Sequence, residues 1–97
     1  MAEPLIARID LLRTAQGYGY RVLSESETLY EDAGYSSVVH CLAGAVEGLP
    51  PEVRAVEVAC AGIVSGTYPL TTLVDNAQSV AQHAIDTTAS VYEALQG

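Results

Sequence analysis

The side chains best equipped for chemistry in this 97-residue chain are two histidines, two cysteines and a scatter of carboxylates. His40, Cys41, Cys60 and His83 are the residue types that bind zinc, but no two of them stand in a CxxC or HxxxH spacing. His40 and Cys41 are neighbours and would project from a helix at different angles. His83 and Asp86, three apart, can meet on one helical face, and Ser79 or Ser90 would complete the outline of a triad. A working triad also needs an oxyanion hole and an oriented nucleophile, and no GxSxG elbow is present. GYGYR, Gly17 to Arg21, contains glycines but has neither the lysine of a phosphate loop nor the GxGxxG spacing. Glu25/Glu27 and Glu31/Asp32 lack the glycine-containing loop of a calcium site. They read as a solvated face or as an acidic surface turned to a partner. The expectation is therefore no catalytic residue, no metal, no cofactor and no enzymatic activity.

The cysteines invite a structural reading as well. Cys41 lies nine residues before Pro50 and Cys60 nine after Pro51. Two antiparallel helices bent at these prolines would bring the thiols to one height. A disulfide is then geometrically possible. It would close a loop of about 20 residues and contribute about 3 kcal/mol. Two buried free thiols are the other reading. Tryptophan and phenylalanine are absent, so six tyrosines carry all the aromatic bulk. Tyr18, Tyr20, Tyr30, Tyr35 and Tyr92 suit either the edges of an alanine-rich core or a protein interface.

Twelve acids face four arginines, with no lysine and a formal net charge of −8. Four scattered arginines cannot form the basic patch that nucleic acid or an anionic membrane requires. No apolar run approaches the roughly 18–20 residues of a membrane span. MAEPLIARID lacks the basic-then-apolar order of a signal peptide. These features predict a cytoplasmic protein, or one exported without a classical signal peptide.

Four segments must position these residues within one domain, 1–97. From Pro4 to about Asp32, Leu5, Ile9 and Leu12 follow helical spacing, with Leu11, Ala15, Tyr18 and Val22 on a parallel track. GYGYR marks a bend or break there. The second segment, GYSSVVHCLAGAVEG, offers Ser36 or Ser37 as an N-cap and Gly48 as a C-cap. The third, PPEVRAVEVACAGIVSG, starts with proline and Glu52, both suited to a helical first turn. Its valines leave a strand through Val56–Val58 as the alternative. The fourth runs from TYPLTTLVDN to Leu95, where Leu70, Val74, Ala77, Ala81, Ala84, Thr88, Val91 and Leu95 keep a heptad spacing. The predicted fold is all-α: a small antiparallel helical bundle or hairpin with a long C-terminal helix. EGLPPEV, Glu47 to Val53, is its helix-to-helix bend.

Length, acidity, lack of lysine and the ending AIDTTASVYEALQG resemble the WXG100 and related type VII secretion proteins. Tyr92 resembles the tyrosine of their C-terminal YxxxD/E signal, although Gln96 replaces the acid and no W-x-G turn is present. The resemblance implies a helical hairpin, paired as a dimer and exported without an N-terminal signal peptide. Three functions compete. The preferred one is a non-enzymatic helical interaction module, a homo- or heterodimer subunit, secreted or associated with a secretion system. The second is an acidic inhibitor, immunity protein or chaperone that masks a basic partner. The third is a small-ligand-binding or enzymatic domain that uses the histidines and cysteines.

Overall fold

The computed structural model describes residues 5–24, 27–50 and 52–96. It is built of β1 (Leu5–Thr14), β2 (Gly17–Ser24), β3 (Glu27–Tyr35), α1 (Val38–Glu47), β4 (Val53–Cys60), β5 (Ile63–Pro69), α2 (Leu70–Asp75) and α3 (Ala77–Gln96). The strands form one sheet in the order β3-β2-β1-β4-β5. β1 is central and pairs in parallel with β4, and the other three pairings are antiparallel. The helices cover one face of the sheet. α1 packs against β1, β2 and β3, α3 against β4 and β5, and the two helices touch each other.

This fold overturns the all-α prediction, and with it the helical hairpin implied by the WXG100 resemblance. The cause lies in the residues of β1. Ala7, Ile9 and Leu11 alternate toward the helices and are buried, the period-two pattern of a half-covered strand. Ile6 and Leu12 lie on the opposite face, 56% and 38% exposed. Apolar residues on both faces blur the alternation, and the remaining spacing of Leu5, Ile9 and Leu12 mimics a helix. In β4, Val53, Val56 and Val58 are buried. β-Branched side chains fit a pleated surface better than a helix, so the strand alternative through Val56–Val58 is the one realised.

EGLPPEV is likewise a helix-to-strand turn rather than a bend between helices. The Val53 amide donates to the Pro50 carbonyl (3.1 Å), and β4 starts at once. Pro51, the expected helix start, lies outside the described residues.

Two elements are helical as expected. In α1 the Ser37 side chain accepts from the His40 amide (3.2 Å), and Gly48 is the C-cap. Val38, Cys41, Leu42 and Ala45 are buried on its inner face, the three- and four-residue spacing of an amphipathic helix. The expected C-terminal helix is interrupted at Asn76, which separates α2 from α3. Leu73, Val80, Ala81 and Ala84 face the core, whereas Leu95 is 76% exposed. The heptad stripe therefore packs over only the first half of α3.

Candidate functional site

Pairing across strands assigns each sheet residue to a face, because directly opposed residues share one. On the helix-covered face one row runs Asp32, Tyr20, Leu11, Cys60, Ile63, and the next toward the hairpin ends runs Tyr35, Tyr18, Arg13. At this margin the helices no longer fill the space above the sheet. A cavity of about 310 Å³ opens there, lined by Leu11, Leu12, Arg13 and Tyr18 of the β1–β2 hairpin, Val38 of α1, Cys60 and Ala61, and Ile85, Thr88 and Ala89 of α3. Its wall is mostly apolar, with Arg13 and Tyr18 among its polar residues. Thr88 Oγ1 donates to the Cys60 carbonyl (3.2 Å) and holds α3 against the end of β4.

The residues singled out for chemistry are not brought together. His40 on α1 and His83 on α3 are both exposed. Asp86 accepts from Gln82 Nε2 (3.0 Å), one turn earlier on α3. Among the described residues no three His, Cys, Asp or Glu side chains could hold a metal ion. The ligand-binding or enzymatic reading therefore finds no cluster of histidines and cysteines to support it among the described residues; of the four, Cys60 alone lines the cavity.

The acidic-mask reading gains no support either, since three of the carboxylates serve the protein's own arginines. Arg8 Nε meets Asp10 (2.7 Å) and its Nη1 meets Glu57 (3.3 Å), while Arg21 meets Glu31 (3.0 Å). Asp32 accepts from the Ala33 amide and the Tyr35 hydroxyl. Glu25 lies outside the described residues.

Cys41 and Cys60 are both free thiols. The symmetric helical hairpin that would have aligned them does not exist, since Cys60 ends a strand. Cys41 is buried on the inner face of α1, and its thiol is pushed up to about 11, first by burial, then by Asp32 and by Cys60. Cys60 is partly exposed and lines the cavity.

Four of the five tyrosines lie on the inner face beneath α1 or at its margin. Tyr20 is buried and meets Tyr30 edge-on, ring centres 5.9 Å apart. The Tyr30 hydroxyl donates to the Ala45 carbonyl (2.6 Å). Tyr35 lies against Gly44, where a Cβ would come within 2.6 Å of its hydroxyl; a glycine in α1 is what lets that ring approach the helix. Tyr18 lines the cavity, and Tyr92 reaches the Ala61 carbonyl at 3.5 Å.

The other face of the sheet is covered by no described element. Its rows, read across the strands, are Ala33, Gly19, Leu12; Glu31, Arg21, Asp10, Ala59, Val64; Thr28, Leu23, Arg8, Glu57, Thr67; and Ile6, Ala55, Pro69. Ile6, Leu12 and Val64 are exposed on it (56%, 38% and 45%). Its charges are two arginines against three carboxylates, arranged as the ion pairs above. No residue type announced this face in advance; its signal was the apolar residues on both sides of β1.

Comparison with protein-family models, with curated proteins and with solved structures finds no match for this chain. The helical interaction module and its secretion role lose their support along with the helical fold. No described helix is long and apolar enough to cross a membrane.

Proposed function

We propose that this protein is a non-enzymatic binding module that pairs with a second copy of itself through the bare face of its sheet. The observation that carries this reading is the composition of that face. Ile6, Leu12 and Val64 lie exposed among small residues, and the ionic side chains between them are already paired within the chain. Two arginines against three carboxylates leave a net charge of −1 there, out of −8 for the chain. Two copies of an acidic protein repel each other through most approaches. They meet at least electrostatic cost through their most nearly neutral face.

Stacked sheets pack about 10 Å apart with strands within about 30° of alignment. Five strands at about 4.8 Å spacing and about 20 Å of strand length offer on the order of 500 Å² in projection. That is below the roughly 800 Å² per partner of a standard stable interface. The ion pairs would also be desolvated on association, which offsets part of the apolar gain. The dimer is accordingly weak, with a dissociation constant on the order of micromolar.

Sedimentation equilibrium over a wide concentration range tests the proposal. The 10.2 kDa chain should shift toward twice its mass in the micromolar range. Ile6→Asp combined with Val64→Asp should hold it monomeric at an unchanged Tm, since both side chains are exposed. A wild-type protein that stays monomeric at millimolar concentration would overturn the reading, as would a double variant that dimerises like wild type.

A further inference from the structure

We propose that the cavity at the hairpin end of the sheet binds a small organic monocarboxylate, its apolar body inside and its carboxylate on Arg13. The cavity, about 310 Å³, lies at the small end of the range for sites that enclose a small molecule. Such sites pair a mostly apolar wall with a few placed polar groups. Leu11, Val38 and Ile85 supply apolar wall from three separate elements, β1, α1 and α3. Ile85 remains 39% exposed although it borders a hollow that a ligand could fill.

The charge of the ligand follows from Arg13. Arg8 and Arg21 are both paired with carboxylates, whereas Arg13 and Arg54 have no ion-pair partner among the described residues, and of these two only Arg13 lines the cavity. In a chain with twelve acids and four arginines, an uncompensated guanidinium at the margin of an apolar hollow is an unusual placement. Its planar fork matches a carboxylate in two parallel hydrogen bonds. Tyr18, opposite Arg13 in the sheet, lines the same cavity, and its hydroxyl makes no hydrogen bond among the described residues. A cation would be repelled by Arg13, and a neutral molecule would leave it unpaired. Of the residues that line this site only Leu12 belongs to the bare face of the sheet, so the site forms within a single copy.

The test uses three eight-carbon probes, octanoate, octanol and octylammonium, in calorimetric titrations with the full chain. Alkylation of Cys60, which lines the same cavity, reports occupancy independently. Octanoate is expected to bind and to slow Cys60 alkylation, with octanol weaker by about tenfold or more and octylammonium weaker still. Arg13→Gln should lower octanoate affinity by about the same factor without changing Tm, because the side chain is exposed. Arg13→Lys should retain part of it. Equal binding of octanoate and octanol would overturn the assignment, as would Cys60 alkylation that octanoate leaves unchanged. Octanoate affinity that falls steeply as protein concentration rises would also overturn it, because a second copy of the chain would then be the occupant.

Discussion

Cys41 and Cys60 present two thiols with different access to the same reagent. Cys41 is buried and its thiol is raised to about 11, so its nucleophilic thiolate is scarce at neutral pH. Cys60 borders an open cavity. One thiol per chain is therefore expected to react with a chromogenic disulfide reagent in the native protein at pH 8, and two after denaturation. Two fast thiols in the native state would contradict the burial of Cys41.

The same environment sets a limit on alkaline stability. Folding holds the Cys41 proton from the ordinary value of about 9 up to about 11. Between those values the unfolded chain has lost the proton while the folded chain keeps it, so stability falls as pH rises. Burial, followed by the Tyr20 charge, raises Tyr30 from 10 to about 12, which extends the decline to higher pH. Cys41→Ala should flatten the loss of Tm between pH 9 and 11 and leave the later part in place. An unaltered slope would show that Cys41 titrates normally. The two thiols were legible in the sequence as residues of interest. Their inequality was not, because it depends on one lying on the buried face of α1 and the other ending β4.

At the level of elements, local signals that need no distant partner were readable. Ser37 and Gly48 bracket α1 as capping chemistry predicts, and the apolar spacing of α3 is helical through Gln96. The strands were missed where a period-two signal carried unfamiliar residues. Gly17-Tyr18-Gly19-Tyr20 alternates small and large strictly, the pattern of β2, yet glycine also reads as a helix break. Cys60-Ala61-Gly62-Ile63 holds a second such signal, a two-residue hairpin turn between β4 and β5. Ala61 and Gly62 both take positive φ, 52° and 84°, as a type I′ turn requires. Alanine is strained there, whereas asparagine tolerates the left-handed region and is favoured before glycine. Ala61→Asn should stabilise the fold by about 0.5–1 kcal/mol, or about 2–8 °C in Tm. A thermal melt that shows a loss would mean that the turn is not of this type. The cavity borders this turn and could not be read in advance, because it depends on three elements that the sequence does not show to be adjacent.

For the whole molecule, charge and coverage act together. Among the described residues the sheet has helices on one side only, and its bare side carries a net charge of −1 out of −8 for the chain. Because the ions on that side are already paired, association should depend weakly on salt. Raising salt concentration should leave the dimer intact or strengthen it through reduced long-range repulsion. The overall net charge was readable at once from composition. Its uneven distribution over the surface follows from strand register, in which Asp10 lies opposite Arg21 and Arg8 opposite Glu57.

The parallel pairing of β1 with β4 also fixes an order of events in time. The central strand is made first, but one of its two neighbours comes late, since Ile9 pairs with Val58. Roughly 50 residues separate them, and at about 5–20 residues per second the ribosome needs on the order of 2.5–10 s to supply the second strand. During that interval the β1–β2–β3 meander can form, but it carries an open strand edge where β4 will dock, which is the template for pairing with other chains. Non-local strand pairing also slows refolding of the complete chain. Stopped-flow refolding is expected in the range of about milliseconds to seconds, and a microsecond phase that accounts for the whole amplitude would contradict it. The nascent chain therefore spends its most exposed seconds with its central strand half paired, and its vulnerability to aggregation is greatest before α1 and β4 have been made.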